Sequence, residues 1–308
     1  MRKYLLNILI FFFCAWILGE IIIRVFHLVP DIPKRIIEPE MGLQIYEPGQ
    51  SGYYTMAEEK WKVNQHGWVG VANSGKKAQI SVIGDSYIEN LMNPLRCHQG
   101  YLLENLLKDY SVFEAGRSGV TFIEALQISK LLDPKINPKY HLIYVNEGDF
   151  KESIAGIRRY KDRVQIDLEQ KRILQAELKS PVAKQILYSN KFLYYLYLRF
   201  PLFVSDQDKN KVVINKTDNK KFHQALIDLF EFCEDEFDTN RIILVFHPNT
   251  DPNIQSLAKN AGFNTISLYK SEEDNWSISS EDPHWSCYGH QQAAEQIASE
   301  FPKLQEDI

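Results

Sequence analysis

AQISVIGDS, residues 78–86, runs from an apolar segment straight into Gly-Asp-Ser. A short apolar run that ends in a turn suits a strand buried on both faces, as in a parallel sheet. Ligands of such sheets bind beyond the carboxyl ends of the strands. The reading of the whole chain turns on Ser86. It is either a nucleophile mounted at a strand end or a polar turn residue.

Working outward, SVFEAG (111–116), YHLIYVNEGD (140–149), RIILVFHP (241–248) and NTISL (264–268) read as further strands. YLLENLLKDY (101–110), TFIEALQISKLL (121–132), a segment near 253–261 and residues 286–300 have helical character. Strands alternating with helices imply a three-layer α/β/α sandwich with a parallel sheet, flavodoxin-like in outline. Ser86, Gly116, Asp149 and His247 then fall at or just past strand ends. Residues 151–220 break the alternation and read as a mostly helical insertion. Its aromatic stretch KFLYYLYLRF (191–200) is expected to pack on the core, with a membrane-proximal position as the alternative.

The N-terminus is different in kind. YLLNILIFFFCAWILGEIII (4–23) is 20 residues long, enough at about 1.5 Å per residue to cross a bilayer's roughly 30 Å hydrocarbon layer. Arg2 and Lys3 precede it, and no small-x-small cleavage site follows it. It reads as an uncleaved single-span anchor over residues 1–28, with a buried core helix as the alternative. Glu20 and Arg24, four apart, can pair across one turn. The amino terminus, Arg2 and Lys3 oppose Arg24, Lys34 and Arg35, so charge counting barely orients the span. Residues 29–78, with Pro30, Pro33, Pro39 and Pro48, read as a linker and lead-in to a domain over 79–308.

The chain has 308 residues and a net charge of −5, which gives no basic footprint for nucleic acid. Its four cysteines, Cys14, Cys97, Cys233 and Cys287, show no metal-ligand spacing. Cys97 and Cys287 both follow site motifs, so a bridge between them would lie beside the pocket.

A serine needs a base within hydrogen-bond reach to act as a nucleophile. The segment SSEDPHWSCYGH (279–290) offers one: Asp282 stands two residues before His284 and can orient its imidazole from a loop. The plainer reading is a polar loop capping the last helix, with Ser286 as N-cap. Both readings can hold together, and His290 fits a structural place in that helix.

GDSY (84–87), AGRSG (115–119) and DPHW (282–285), in this order, resemble the conserved blocks of the SGNH (GDSL-like lipase/esterase) hydrolases. The lead-in NQHGWVG (64–70) and the anchor are similar to those of membrane-bound members. The resemblance covers roughly residues 60–300 and implies roles residue by residue. Ser86 would be the nucleophile and first oxyanion N–H, and Gly116 the second. His284 would be base and then acid, with Asp282 orienting it. One block departs. Residues 146–149 read Asn-Glu-Gly-Asp where the family has Gly-x-Asn-Asp, so Gly148 takes the place of an oxyanion-hole asparagine. Loss of such a donor costs about 3–4 kcal/mol. Either Asn146 reaches in, from the same face of an extended strand, or the Gly148 N–H substitutes, or hydrolysis is slow or lost.

His247, Tyr87 and Trp285 are candidate substrate contacts, with a backbone-satisfied loop position the alternative for His247. Glu89 and Glu147 lie near the same mouth, and a solvated surface position suits each. His247, His284 and His290 could be gathered as metal ligands, but neither HxH nor HExxH spacing appears, so neither metal nor cofactor is expected. The resemblance implies an ester hydrolase or O-acyltransferase for an acylated glycan or lipid. A bacterial envelope location would place the domain outside the inner membrane, beside polysaccharide-biosynthesis proteins. The competing reading, favoured by Gly148, is a weak or inactive relative that binds a glycan or a partner.

Overall fold

The computed structural model describes residues 2–70, 79–200 and 216–306. The end of the lead-in (71–78) and the end of the insertion (201–215) lie outside the described residues. Helix α1 (Arg2–Val25) is the apolar N-terminal segment, and it is long and apolar enough to cross a membrane. The lead-in is less irregular than its prolines suggest. It forms two small antiparallel pairs, β1 (Arg35–Ile37) with β2 (Gln44–Tyr46) and β3 (Ser51–Tyr54) with β4 (Glu59–Lys62).

The AQISVIGDS stretch becomes β5 (Ile80–Gly84), buried at every residue. It runs into the short helix α2 (Ser86–Glu89), then α3 (Gln99–Leu106), β6 (Val112–Gly116), α4 (Phe122–Ile136) and β7 (Tyr140–Val145). Helix α5 (Glu147–Ser153) follows at once, so the third strand ends four residues earlier than the apolar run suggests. The insertion is only partly helical. It opens with the hairpin β8 (Gln165–Asp167) and β9 (Arg172–Leu174), followed by α6 (Pro181–Ser189) and α7 (Lys191–Arg199). Helix α8 (Lys216–Glu236), β10 (Ile242–Phe246), α9 (Pro252–Asn260), β11 (Asn264–Ser267) and α10 (Cys287–Glu306) complete the chain.

The five strands β11-β10-β7-β5-β6 make one parallel sheet. Side chains alternate across it. Ile83, Phe113, Ile143 and Leu244 face a layer containing α4, α5, α8 and α9, and Ile80, Val82, Leu142 and Val245 face one containing α3 and α10. This is the expected three-layer α/β/α sandwich. The chain steps from β5 outward to β6 and then crosses back to β7 on the other side of β5. The strand order therefore reverses at β5, and the crevice opened by that reversal lies beyond Gly84, where Ser86 stands.

A further sequence expectation fails at this level. The aromatic stretch 191–200 does not pack on the domain core. Phe192, Tyr194 and Tyr195 cluster with Ile23 of α1, with Val29 and Ile32, and with Leu187 and Tyr188 of α6.

Candidate active site

Ser86 is the first residue of α2, and Asp85 caps that helix by accepting the Tyr87 N–H at 2.9 Å. A residue in a helix's first turn has no intrahelical acceptor for its N–H. The Ser86 N–H is therefore left without an intrahelical partner. Ser86 Oγ lies 2.8 Å from His284 Nε2, and His284 Nδ1 lies 2.6 Å from Asp282 Oδ1. Asp282 Oδ1 also accepts the His284 backbone N–H at 3.1 Å, which fixes the two residues to each other. With Nδ1–H donating to the carboxylate, Nε2 is the acceptor for the serine proton. Desolvation works against the Asp282 charge, but the two hydrogen bonds from His284 outweigh it and hold the carboxyl below its usual range.

The loop carrying Asp282 and His284 is held from several sides. Ile278 N donates to His284 O at 2.8 Å, Tyr87 Oη to Pro283 O at 3.2 Å, and Asn93 Nδ2 to Trp285 O at 2.8 Å. Ser286 caps α10 as expected, its Oγ accepting the Gly289 N–H. A disulfide joins Cys97, just before α3, to Cys287, the first residue of α10, and so ties the segment after Ser86 to the segment after His284. Asn93 carries no periodic or motif signal, and sequence reading passes over it.

Tyr87, His247 and Trp285 do come together. The Tyr87 ring centre is 4.6 Å from that of His247 and 5.1 Å from that of Trp285, and 5.0 Å from that of His284. Tyr87 keeps some exposed surface, whereas His247 is 8% and Trp285 5% exposed. The latter two back the tyrosine. Burial pushes the His247 imidazole down to about 3, so it stays neutral. His290 is buried against Gln99, whose Nε2 lies 3.1 Å from its Nδ1, which is the structural place expected for it. The three histidines thus have separate engagements. Among the described residues no group of His, Cys, Asp and Glu gathers as a metal site.

Three expectations about the oxyanion side need correction. First, Gly116 is the last residue of β6, at the strand end as expected, but its N–H is not turned past that end. In this register Arg117 N donates to Gly84 O, so the Gly116 N–H and C=O point away from β5, toward the bridge with Val69. Gly116 is required for another reason: a Cβ there would come within 2.2 Å of Glu89 N. The backbone N–H groups that lie past the strand belong to the turn from Arg117 to Val120, where Gly119 adopts φ +79°. Second, Asn146 and Gly148 do not share an extended strand. Asn146 is the N-cap of α5 and its Oδ1 accepts the Gly148 N–H at 2.7 Å, so that N–H is already taken. Asp149 returns the cap by accepting the Asn146 N–H at 2.8 Å. The Asn146 amide nitrogen makes no hydrogen bond to another described residue. Third, Glu89 is not solvated. It is 5% exposed and accepts a hydrogen bond from Tyr46 Oη, beneath the Arg117–Val120 turn. Glu147 does sit at the surface, paired with Lys151.

Two carboxyls lie under the serine turn. Burial, and then the nearby Asp85, push Asp149 well above the ordinary range. Burial raises Asp85 to about 6 against the pull of the Tyr87 N–H and of His284.

No family model and no curated protein matches the chain. Solved structures overlap it loosely. A member of the lipolytic protein G-D-S-L family from Veillonella parvula is 9% identical, with TM-score 0.38 over 73% of this chain and 98% of its own. The psychrotrophic esterase EstA from Pseudoalteromonas sp. is 12% identical, with TM-score 0.40 over 74% and 98%. An acetyl xylan esterase from Butyrivibrio proteoclasticus is 12% identical, with TM-score 0.37 over 76% and 65%. Overlaps this loose carry no argument, and the function rests on the geometry of the chain itself.

Proposed function

We propose that the protein is a membrane-anchored serine ester hydrolase or O-acyltransferase of the SGNH type, working through an acyl-serine intermediate. One observation carries this: the unbroken chain Ser86 Oγ, His284 Nε2, His284 Nδ1, Asp282 Oδ1, with links of 2.8 and 2.6 Å. Residues from opposite ends of the domain form that chain, and a capping role for the 282–286 loop does not require it.

In the reaction, Ser86 Oγ attacks the ester carbonyl as His284 Nε2 takes its proton. The imidazolium is stabilised by Asp282. Collapse of the tetrahedral adduct expels the alcohol, which leaves with the proton from His284. Water or a sugar hydroxyl then repeats the sequence on the acyl-serine and regenerates Ser86. The oxyanion donors best supported are the Ser86 N–H, an N–H of the Arg117–Val120 turn, and the Asn146 amide nitrogen in place of the side chain absent at Gly148.

The disulfide supports a domain in an oxidising compartment, periplasmic or extracellular. With α1 as the retained span, the substrate would be an acylated envelope carbohydrate or lipid, handled beside the proteins that build it. The test is a fluorophosphonate probe and p-nitrophenyl acetate. Wild type should label at Ser86 and turn over the ester, and Ser86→Ala should do neither while melting at the same temperature. A folded wild type that neither labels nor turns over would favour the glycan-binding reading.

A further inference from the structure

Helix α1 is built into the domain through its apolar stretch. The Phe192 ring of α7 lies over Gly19, where a Cβ would come within 2.8 Å of it, and meets Trp16 edge-on at 5.5 Å. Val25 ends the helix nine residues after Trp16, so α7 touches α1 about 13 Å inside that end. The polar pair of α1 completes the joint. Asn190 makes no side-chain cap for α7, and Glu20 serves instead, accepting the N–H groups of Lys191 at 3.1 Å and Phe192 at 2.7 Å. Arg24 donates to Ser189 O, at the last residue of α6, at 2.8 Å. An acid thus meets the positive end of one helix dipole and a base the negative end of the other.

Apolar side chains stand exposed on the same helix pair and at its end. Val182 is 69% exposed, Ile186 55%, Leu198 49% and Phe200 63%. Exposed apolar side chains of this kind, on helices packed against a membrane span, call for a lipid covering. Beside it, a groove of about 690 Å³ runs between the lead-in and α6 and is lined by Arg24, Lys34, Arg35, Lys179, Lys184 and Lys191. Among the described residues Asp31 and Asp162 are the only acids on its wall; Asp31 is engaged by Lys191 at 2.6 Å, and Lys34 is paired with Glu47 at 3.2 Å. Burial, and then the charge of Arg35, lower the Lys184 ammonium from its usual range. Arg35 also donates to Ser118 Oγ at 2.8 Å, so the groove backs onto the turn that follows β6.

We propose that α6 and α7 form a membrane-surface platform beside α1, their apolar side chains entering the bilayer interface and the groove's cations taking the anionic headgroups of the same leaflet. The platform rests on α1 being a retained span. It fixes the tilt of the domain and brings the Arg117–Val120 side of the site toward the lipid surface. Charge complementarity and continuity with the span single out lipid as the occupant.

The test uses the full chain in vesicles, in a Cys14→Ser background, with an environment-sensitive fluorophore on Leu9→Cys, Val182→Cys, Leu198→Cys or, as control, Lys259→Cys. Labels at Leu9, Val182 and Leu198 should be blue-shifted and quenched by nitroxide lipids, and the Lys259 label should not. An unquenched Leu9 label would overturn the span itself. A quenched Leu9 label beside water-like Val182 and Leu198 labels would leave the span and overturn the platform. Adding phosphatidylglycerol to phosphatidylcholine vesicles should deepen quenching at Val182, and the double substitution K179E/K184E should abolish that increment. Quenching indifferent to lipid charge would overturn the headgroup assignment. So would protection of Lys184 from amine labelling by an acidic oligosaccharide rather than by anionic vesicles.

Discussion

Asp85 separates the last residue of β5 from Ser86, and its carboxyl stands outside the Ser86–His284–Asp282 chain. Its folded-state value of about 6 is above the roughly 3.9 of an unfolded aspartate, because the turn desolvates it. A carboxyl raised on folding favours the native state most where it is protonated in both states. As pH rises from about 4 to 6, the unfolded chain gives up this proton before the native one, and stability falls. Above about 6 the loss is complete. Asp85→Asn keeps an oxygen to accept the Tyr87 N–H and removes the titration. Its melting temperature should therefore stay flatter than that of wild type between pH 4 and 6 and exceed it at pH 7. Melting curves at half-unit pH steps check this. An equal decline in both proteins would place the titration elsewhere, with Asp149 the first candidate.

At the scale of elements, the third site segment separates two roles in one residue. Asn146 caps α5 with Oδ1, a contribution of about 1 kcal/mol. Its amide nitrogen is assigned to the oxyanion, where one donor is worth about 10²–10³ in rate. Asn146→Asp retains the cap and loses the donor, and Asn146→Ala loses both. Both should be slowed by two to three orders of magnitude in kcat, but only the alanine variant should also melt lower. An aspartate variant with wild-type kcat would return Asn146 to a purely structural role.

The same segment explains how much could be read from the chain alone. The five strands and the Gly-Asp-Ser and Asp-x-His segments were legible because apolar runs and local spacing carry them. Asn146 as an N-cap was not, because YVNEG stays compatible with a strand until the helix after it is seen to start at Glu147. Gly116 was misplaced as a donor because strand register, which sequence does not carry, decides which way its N–H points. The buried Glu89 and the docking of α7 on α1 depend on contacts between segments far apart in the chain.

At the scale of the whole molecule, the hydrogen-bonded chain spans 198 residues from Ser86 to His284, and covalent closure is provided by the neighbouring Cys97–Cys287 bridge, 190 residues apart. Closing a loop that long in the unfolded state lies at the upper end of disulfide effects, about 4–5 kcal/mol, less any strain in the folded form. For a domain of this size that corresponds to roughly 10 °C in melting temperature. The bridge also fixes the first residue of α10, three positions after His284, against the segment preceding α3. Reduction should therefore act twice, on stability and on the placement of the base. The C97A/C287A variant, or wild type held in reductant, should melt about 10 °C lower. It should also lose kcat at temperatures where it is still folded, because the start of α10 is then no longer tied to the segment before α3. A wild type whose melting temperature and kcat are both indifferent to reductant would remove the bridge from the mechanism, and with it the support it lends to an oxidising compartment.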